Sequence, residues 1–97
     1  MVKLHNMRKE RYTIDTVNVR VDRANRLLGN FAGQGMERMA SIEAYRKYLA
    51  EKRPAVEAEL ERLRNIHRKH GALHLYCWCV PLPCHSELIR DEILRGL

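Results

Sequence analysis

The chain has 97 residues, a length that suits one small domain with a single core. Its 45% of hydrophobic and 31% of charged residues are typical of a globular protein. No apolar run approaches the roughly 20 residues that cross a bilayer, and the first residues lack the apolar stretch of a signal peptide. We therefore expect a cytoplasmic protein with no membrane partner, in which the three cysteines are reduced thiols.

The net charge of +6 favours anionic partners. Nucleotides, nucleic acid and acidic protein surfaces all belong to this class. Basic residues are scattered, and none of their clusters is long enough to form a basic tail. Solubility alone is the alternative explanation of the charge.

Two segments have the pattern of β-strands. β-branched residues alternate at Val17, Val19 and Val21, which predicts a strand over residues 15–21. Residues 72–79 are apolar and aromatic and lie between a glycine and a proline, which predicts a second strand.

Three segments have helical periodicity. Apolar residues share one face over 42–49, in a helix that begins at a Ser41 cap or earlier, near Gly35. A second helix is expected over 54–70, with proline in its first turn and glycine as its C-terminal cap. The last helix is expected over 86–97.

The element order is therefore strand, helix, helix, strand, helix. A helical crossover between two strands usually makes them parallel. We predict a small single α/β domain over residues 13–97, with a short, mostly parallel sheet flanked by helices. Residues 1–12 are polar and mixed, which indicates an N-terminal arm or an edge strand.

A parallel sheet predicts where a ligand would bind. Both strands end at one edge, so the loop over residues 22–35, rich in glycine and asparagine with positions of positive φ, would lie near the start of the last helix. Open α/β sheets bind ligands in such a crevice, and a helix N-terminus favours phosphate or carboxylate. The predicted ligand-binding residues are Arg20, Arg23, Asn30, Cys84 and His85.

The segment from Cys77 to His85 holds all three cysteines and a histidine. Four candidate ligands, Cys77, Cys79, Cys84 and His85, match the number that tetrahedral zinc requires. The spacing is not that of a C-x-x-C knuckle, and the adjacent Cys84 and His85 cannot easily both reach one ion. The alternative is that Cys77 and Cys79 are small buried apolar residues of the strand.

Cys84 is also a candidate nucleophile, because it directly precedes a helix, whose dipole lowers the pKa of a thiol. His85 would assist as a base, but no third group that orients the pair is evident. The alternative is that the pair packs and caps the helix. We expect Trp78, the one tryptophan, to be covered by a helix rather than used for stacking.

The chain resembles an uncharacterised family of small proteins and domains found in bacteriophages and bacteria. The family has a V-x-N-x-R strand, a G-N-P-F element, a Y-R-x-Y-L-like helix and a C-W-C-x-P-x-x-C-H segment, in that order. The corresponding stretches here are Val17 to Arg20, Leu28 to Phe31, Tyr45 to Leu49 and Cys77 to His85. The proline between Asn30 and Phe31 is absent, which implies an altered loop. The resemblance covers residues 16–96 and implies an intracellular, often phage-encoded protein.

Three functions agree with these patterns. The first is a binding module for an anionic nucleotide, nucleic acid or host protein. The second is an enzyme that acts on a nucleotide-like substrate through Cys84 or His85, and the third is an interaction protein stabilised by zinc. If the crevice is the working site, His85→Ala should abolish binding with the fold intact, and binding should strengthen from about pH 8 to about pH 6. The alternative is that His85 only satisfies backbone groups at the start of the helix.

Overall fold

A computed structural model describes residues 1–79, 82 and 84–97 of the chain. In chain order its elements are β1 (Val2–Asn6), β2 (Asn18–Arg20), α1 (Arg38–Ala50), α2 (Pro54–His70), β3 (Leu73–Cys77) and α3 (His85–Arg95). The predicted α/β class is confirmed, and so are the three predicted helices. Among the described residues, no helix has the length and apolar character that a membrane crossing requires.

The three strands form one parallel sheet in the order β1-β3-β2. Leu75 of the central strand pairs with Leu4 on one side and with Val19 on the other. The predicted parallel pairing of the two strands is therefore confirmed. The N-terminal stretch adds β1 at one edge of the sheet. All three strands point the same way, so their carboxyl ends lie at one edge.

The core lies between the sheet and the helices. Alternate residues of β3 enter it because side chains of a strand point to opposite faces by turns. Helix α2 contributes Leu60 and Leu63, and α3 contributes Ile89 and Ile93, all of them fully buried. Leu49, Leu75 and Cys77 also belong to this buried cluster, and Val19 packs against it half-buried.

The other face of the sheet carries polar aromatic side chains. His5 stacks on Tyr76 with ring centroids 4.6 Å apart, and its Nε2 lies 2.7 Å from Nδ1 of His74. Glu10 holds the other ring nitrogen of His5. Tyr12 meets the ring of Tyr76 edge-on. The segment that follows β1 thus folds back over this face.

Helix α1 begins at Arg38, earlier than a Ser41 cap would place it. The carboxylate of Glu37 caps the helix by accepting from the backbone N–H groups of Met39 and Ala40, at 2.9 and 2.6 Å. The hydroxyl of Ser41 instead accepts a hydrogen bond from the side chain of Asn30. Ser41 therefore fixes the preceding loop to α1 rather than starting the helix.

Two tyrosines of α1 hold the loop between β2 and α1 by hydrogen bonds to its backbone carbonyls. The hydroxyl of Tyr45 donates to the carbonyl of Leu28 at 2.6 Å, and that of Tyr48 donates to the carbonyl of Leu27 at 2.7 Å. Position 29 requires glycine because the backbone of the loop approaches it closely. A Cβ there would lie 2.6 Å from the carbonyl oxygen of Asn25. Of the three loop glycines, the expected positive φ occurs only at Gly35, with 81°.

Candidate ligand-binding crevice

The candidate site lies where the three parallel strands end. Chain segments that follow β1, β2 and β3 leave the sheet at this edge, and α3 begins beside them. Crevices outside the carboxyl ends of parallel strands are the usual ligand sites of open α/β sheets. The structure forms two neighbouring cavities here, which share Arg23, Asn30, Cys79 and His85 as lining residues.

The first cavity, named here the His85 cavity, has a volume of about 260 Å³. Four of the five predicted ligand-binding residues line it, namely Arg23, Asn30, Cys84 and His85. Its other polar lining groups are Arg38 and Ser41 of α1. No carboxylate lines this cavity among the residues that the structure describes, so its charged groups are basic.

The second cavity, named here the Trp78 cavity, has a volume of about 420 Å³, within the range of small-molecule pockets. Trp78 forms one wall, and its side chain is 47% exposed. The indole N–H donates to the carboxylate of Asp22 at 2.8 Å. The expectation that a helix covers Trp78 is therefore wrong, because the residue follows the end of β3 and its side chain is exposed.

Arg20 does not line either cavity. It lies on the face of β2 opposite to Val19, and its guanidinium pairs with Asp22, with Nη2 to Oδ2 at 2.6 Å. Partial burial raises the pKa of Asp22, but hydrogen bonds from Arg20 and Trp78 outweigh this and hold the pKa below its usual value. Arg20 therefore keeps Asp22 ionised and in place, and Asp22 in turn fixes the indole of Trp78.

Arg23 and Asn30 bring the loop to the crevice. The side-chain amide of Asn30 donates to the hydroxyl of Ser41 at 2.8 Å, and its carbonyl oxygen accepts from the backbone N–H of Gly33 at 2.8 Å. Asn30 is thus mainly a structural residue of the loop. Arg23 is exposed and donates through Nε to the backbone carbonyl of Asn30 at 3.3 Å. Its guanidinium is therefore held at the wall that the two cavities share.

His85 is 8% exposed and connects two elements of the site. Its Nε2 lies 2.6 Å from the backbone carbonyl of Val21, which can only accept, so Nε2 carries the proton and donates. In the neutral ring Nδ1 is then unprotonated, and it lies 3.7 Å from the sulfur of Cys84. Burial lowers the pKa of His85, although its hydrogen bond to Val21 acts in the opposite direction.

The three cysteines converge beside His85. Cys79 and Cys84 form a disulfide with their Cα atoms 5.8 Å apart, and Cys77 is a free, buried thiol. The expectation of three reduced thiols is thus wrong for this structure. The two cysteines are five positions apart in the sequence, and the distance between their Cα atoms is within the range that a disulfide spans. As a disulfide, Cys84 has no thiolate to act as a nucleophile.

The same sulfurs also form a potential metal site. All three lie within 4.8 Å of one another, with Cys77 at 3.3 Å from Cys84 and at 4.0 Å from Cys79. Tetrahedral zinc with Zn–S bonds of about 2.3 Å places its sulfur ligands about 3.8 Å apart. The donor set therefore fits a soft metal ion when the disulfide is reduced. His85 is outside this cluster, and Val21 engages its Nε2.

The sequence profile of the domain of unknown function DUF4326 matches residues 4–95. The chain belongs to the DUF4326 family. The match extends from within β1 to the end of α3, so it includes every residue that lines the two cavities. It confirms the expected membership of an uncharacterised family. No curated protein and no solved structure matches the chain.

Sequence reasoning did not identify Trp78, Asp22 or Arg38 as parts of this DUF4326 crevice. Asp22 directly follows Val21, the last residue of the predicted first strand. That position was a signal that Asp22 lies at the carboxyl edge of the sheet. Trp78 precedes a cysteine and a segment with two prolines, so its exposure depends on where β3 ends. Arg38 reaches the site because it is the first residue of α1. The sequence predicted the start of this helix only to within several residues.

Proposed function

We propose that this DUF4326 protein binds an anionic small ligand, of the nucleotide class, in the paired cavities at the sheet edge. One observation carries the proposal: the His85 cavity is lined by Arg23 and Arg38 and, among its described residues, by no carboxylate. Arginine recognises phosphate and carboxylate through a planar fork of donors. The net charge of +6 adds a favourable long-range field for anions.

The Trp78 cavity supports a ligand that has a planar ring as well as a charged group. Its lining combines the exposed indole with Arg23 and His85, and more of it is apolar than polar. Aromatic side chains bind nucleobases by stacking. A nucleoside monophosphate would thus place its base on Trp78 and its phosphate toward Arg23 and Arg38.

We expect a nucleoside monophosphate to change the fluorescence of Trp78, the one tryptophan of the chain, as it binds. The uncharged nucleoside should bind at least about tenfold more weakly, because it lacks the charge-assisted hydrogen bonds of phosphate. Arg23→Gln should weaken the nucleotide by about the same factor. Arg46→Gln is the matched control, because Arg46 lines a separate cavity between α1 and α3.

Equal affinity for the nucleoside and the nucleotide would contradict the proposal, and so would an Arg23→Gln variant that binds as well as the unaltered protein. Product analysis of the same mixtures addresses the enzyme alternative. Turnover that requires reduced Cys84 would favour an enzyme that acts on a nucleotide-like substrate.

A second candidate function is an interaction protein stabilised by zinc, which the convergence of three sulfurs favours. In the reduced protein, Cys77, Cys79 and Cys84 would bind the ion as thiolates. The fourth position would be left to a water molecule or a ligand in the Trp78 cavity, which Cys77 and Cys79 also line. Such an ion would connect the end of β3 to the start of α3, as the disulfide does here.

We expect the protein, reduced and then freed of reductant without oxygen, to take up one zinc ion per chain and to melt at a higher temperature with the metal. Co²⁺ in place of zinc should give the intense near-ultraviolet absorption of sulfur-to-metal charge transfer. Cys77→Ser, Cys79→Ser and Cys84→Ser should each weaken metal binding strongly, whereas His85→Gln should not. If the reduced protein takes up no zinc and the native protein has a single free thiol, the zinc function is contradicted and the disulfide alone links the cysteines.

A further inference from the structure

A third cavity continues the crevice on the far side of Trp78. This cavity, named here the Arg8 cavity, has a volume of about 480 Å³. It is lined by Asn6, Arg8, Lys9, Arg38, Trp78, Cys79 and Leu82. Trp78 also lines the Trp78 cavity, and Arg38 also lines the His85 cavity. Cys79 lines all three cavities, which we name together the edge groove.

The turn after β1 places two basic residues at this end of the groove. The backbone N–H of Arg8 donates to the side-chain carbonyl of Asn6 at 2.8 Å, and that of Lys9 donates to the backbone carbonyl of Asn6 at 3.0 Å. These bonds fix the turn at the carboxyl end of β1. The side chains of Arg8 and Lys9 are exposed.

Positive charge continues along the whole edge groove. Arg8 and Lys9 line the Arg8 cavity, Arg23 lines the other two cavities, and Arg38 lines both the Arg8 and the His85 cavity. Asp22 is the one carboxylate among the described lining residues, and Arg20 neutralises it. A ligand with one negative group would use only part of this charge. A chain with a phosphate at every repeat would use all of it.

Trp78 provides an aromatic surface in the middle of this charge. Its hydrogen bond to Asp22 fixes the indole, and the side chain remains 47% exposed. Leu82 adds an exposed apolar side chain next to it in the Arg8 cavity. An aromatic ring between basic groups is the arrangement by which proteins bind single-stranded nucleic acid with little sequence preference.

We propose that the edge groove binds a short single strand of DNA or RNA, with one base stacked on Trp78 and the flanking phosphates near Arg23, Arg38, Arg8 and Lys9. The inference rests on the proposed function, because the same Arg23 and Trp78 would hold a single nucleotide. It adds that the natural ligand is a polymer. A duplex does not fit this mode, because its bases are stacked on each other and unavailable to the indole.

The first experiment compares ligand lengths by fluorescence of Trp78 and by anisotropy of labelled hexamers of thymidine and adenosine. The hexamer should bind at least about tenfold more tightly than the mononucleotide, because it reaches the added charges of the Arg8 cavity. Its affinity should fall with salt with a log–log slope of about −2 to −3, as expected for three to four neutralised phosphates of a single strand. A duplex of the same length should bind more weakly than the single strand.

The second experiment removes the basic residues that only the polymer would reach. Arg8→Gln with Lys9→Gln should weaken the hexamer and reduce its salt slope by about 1.4, since each neutralised phosphate contributes about 0.7. Binding of the mononucleotide should not change. The control is Arg46→Gln with Arg95→Gln, which removes the same charge from the separate cavity between α1 and α3.

The third experiment tests stacking on the indole. Trp78→Ala should weaken the hexamer about tenfold, as loss of one base–aromatic stack does, and Trp78→Phe should retain most of the affinity. Circular dichroism establishes that both variants remain folded, which the exposure of Trp78 favours.

Two results would contradict the claim that the ligand is a polymer and leave the small-ligand proposal standing. One is a hexamer that binds no better than the mononucleotide, and the other is an Arg8→Gln, Lys9→Gln variant with unchanged affinity for it. Polyphosphate or an acidic peptide that binds as tightly as the hexamer would also overturn the inference, because neither has a base to stack. If neither the mononucleotide nor the hexamer binds, the proposed function itself fails.

Discussion

Leu63→Ala is expected to lower the free energy of unfolding by about 2–5 kcal/mol, the cost of emptying a leucine site in a packed core. Leu63 lies in the middle of α2 and is fully buried in the cluster that joins this helix to the sheet. A domain of this size has a stability of about 5–15 kcal/mol. The variant would therefore lose a large part of its margin and melt at a clearly lower temperature.

Leu94→Ala is the matched control, because it makes the same substitution at a leucine that is 47% exposed on α3. Its effect should be within about 0.5 kcal/mol, as for most surface changes. Denaturant unfolding of both variants gives the two free energies on one scale. An unchanged midpoint for Leu63→Ala would show that α2 presents another face to the sheet.

The fold was predictable because its elements have strong local signals. The alternation of valines before residue 22 and the long apolar stripe of α2 each have one satisfactory interpretation. The helical connection between the two strands then favours a parallel pairing. β1 was the weakest element in the sequence, because Lys3 and His5 face a polar surface and its pattern has little apolar contrast.

The candidate site was only partly predictable, because it depends on how side chains turn at the ends of strands. The topology was enough to bring Arg23, Asn30 and His85 together, since all three follow or precede elements that meet at one edge. The face on which Arg20 lies is determined by the alternation of side chains along β2. It lies on the opposite face of β2, where Asp22 holds it.

The pairing of the cysteines was not predictable from spacing. The sequence placed both Cys77 and Cys79 in the second predicted strand, and their sulfurs are 4.0 Å apart. The strand ends at Cys77, however, so Cys79 belongs to the turn that leads to α3. Because Cys79 lies outside the strand, it bonds to Cys84, and Cys77 remains as the buried free thiol.

Replacement of His85 by alanine is expected to destabilise the protein. His85→Ala removes the donor to the carbonyl of Val21, and an unpaired buried carbonyl costs about 1–3 kcal/mol. The ring also packs edge-on against Tyr45, with centroids 4.9 Å apart, and that contact is lost as well. The end of β2 would then no longer be tied to the start of α3.

The pH dependence of stability follows from the same burial. Because burial lowers the pKa of His85 in the folded protein, the unfolded chain takes up more protons at acid pH. The stabilisation is present above the ordinary pKa of 6.5 and is lost as the pH falls below that value toward the folded pKa. Burial lowers the pKa of His74 also, so the two residues act with the same sign. The melting temperature should therefore drop from about pH 7.5 to about pH 5.5.

His85→Gln separates positioning of the crevice from contact with the ligand. Glutamine offers a side-chain N–H that can reach the carbonyl of Val21 but does not titrate, so it should recover most of the stability and reduce the drop at acid pH. Since Val21 engages Nε2 and Nδ1 faces Cys84, we expect His85→Ala to weaken nucleotide binding and His85→Gln to restore it. Affinity and melting temperature measured on both variants test this. A glutamine variant with restored stability and lost affinity would place the imidazole on the ligand itself.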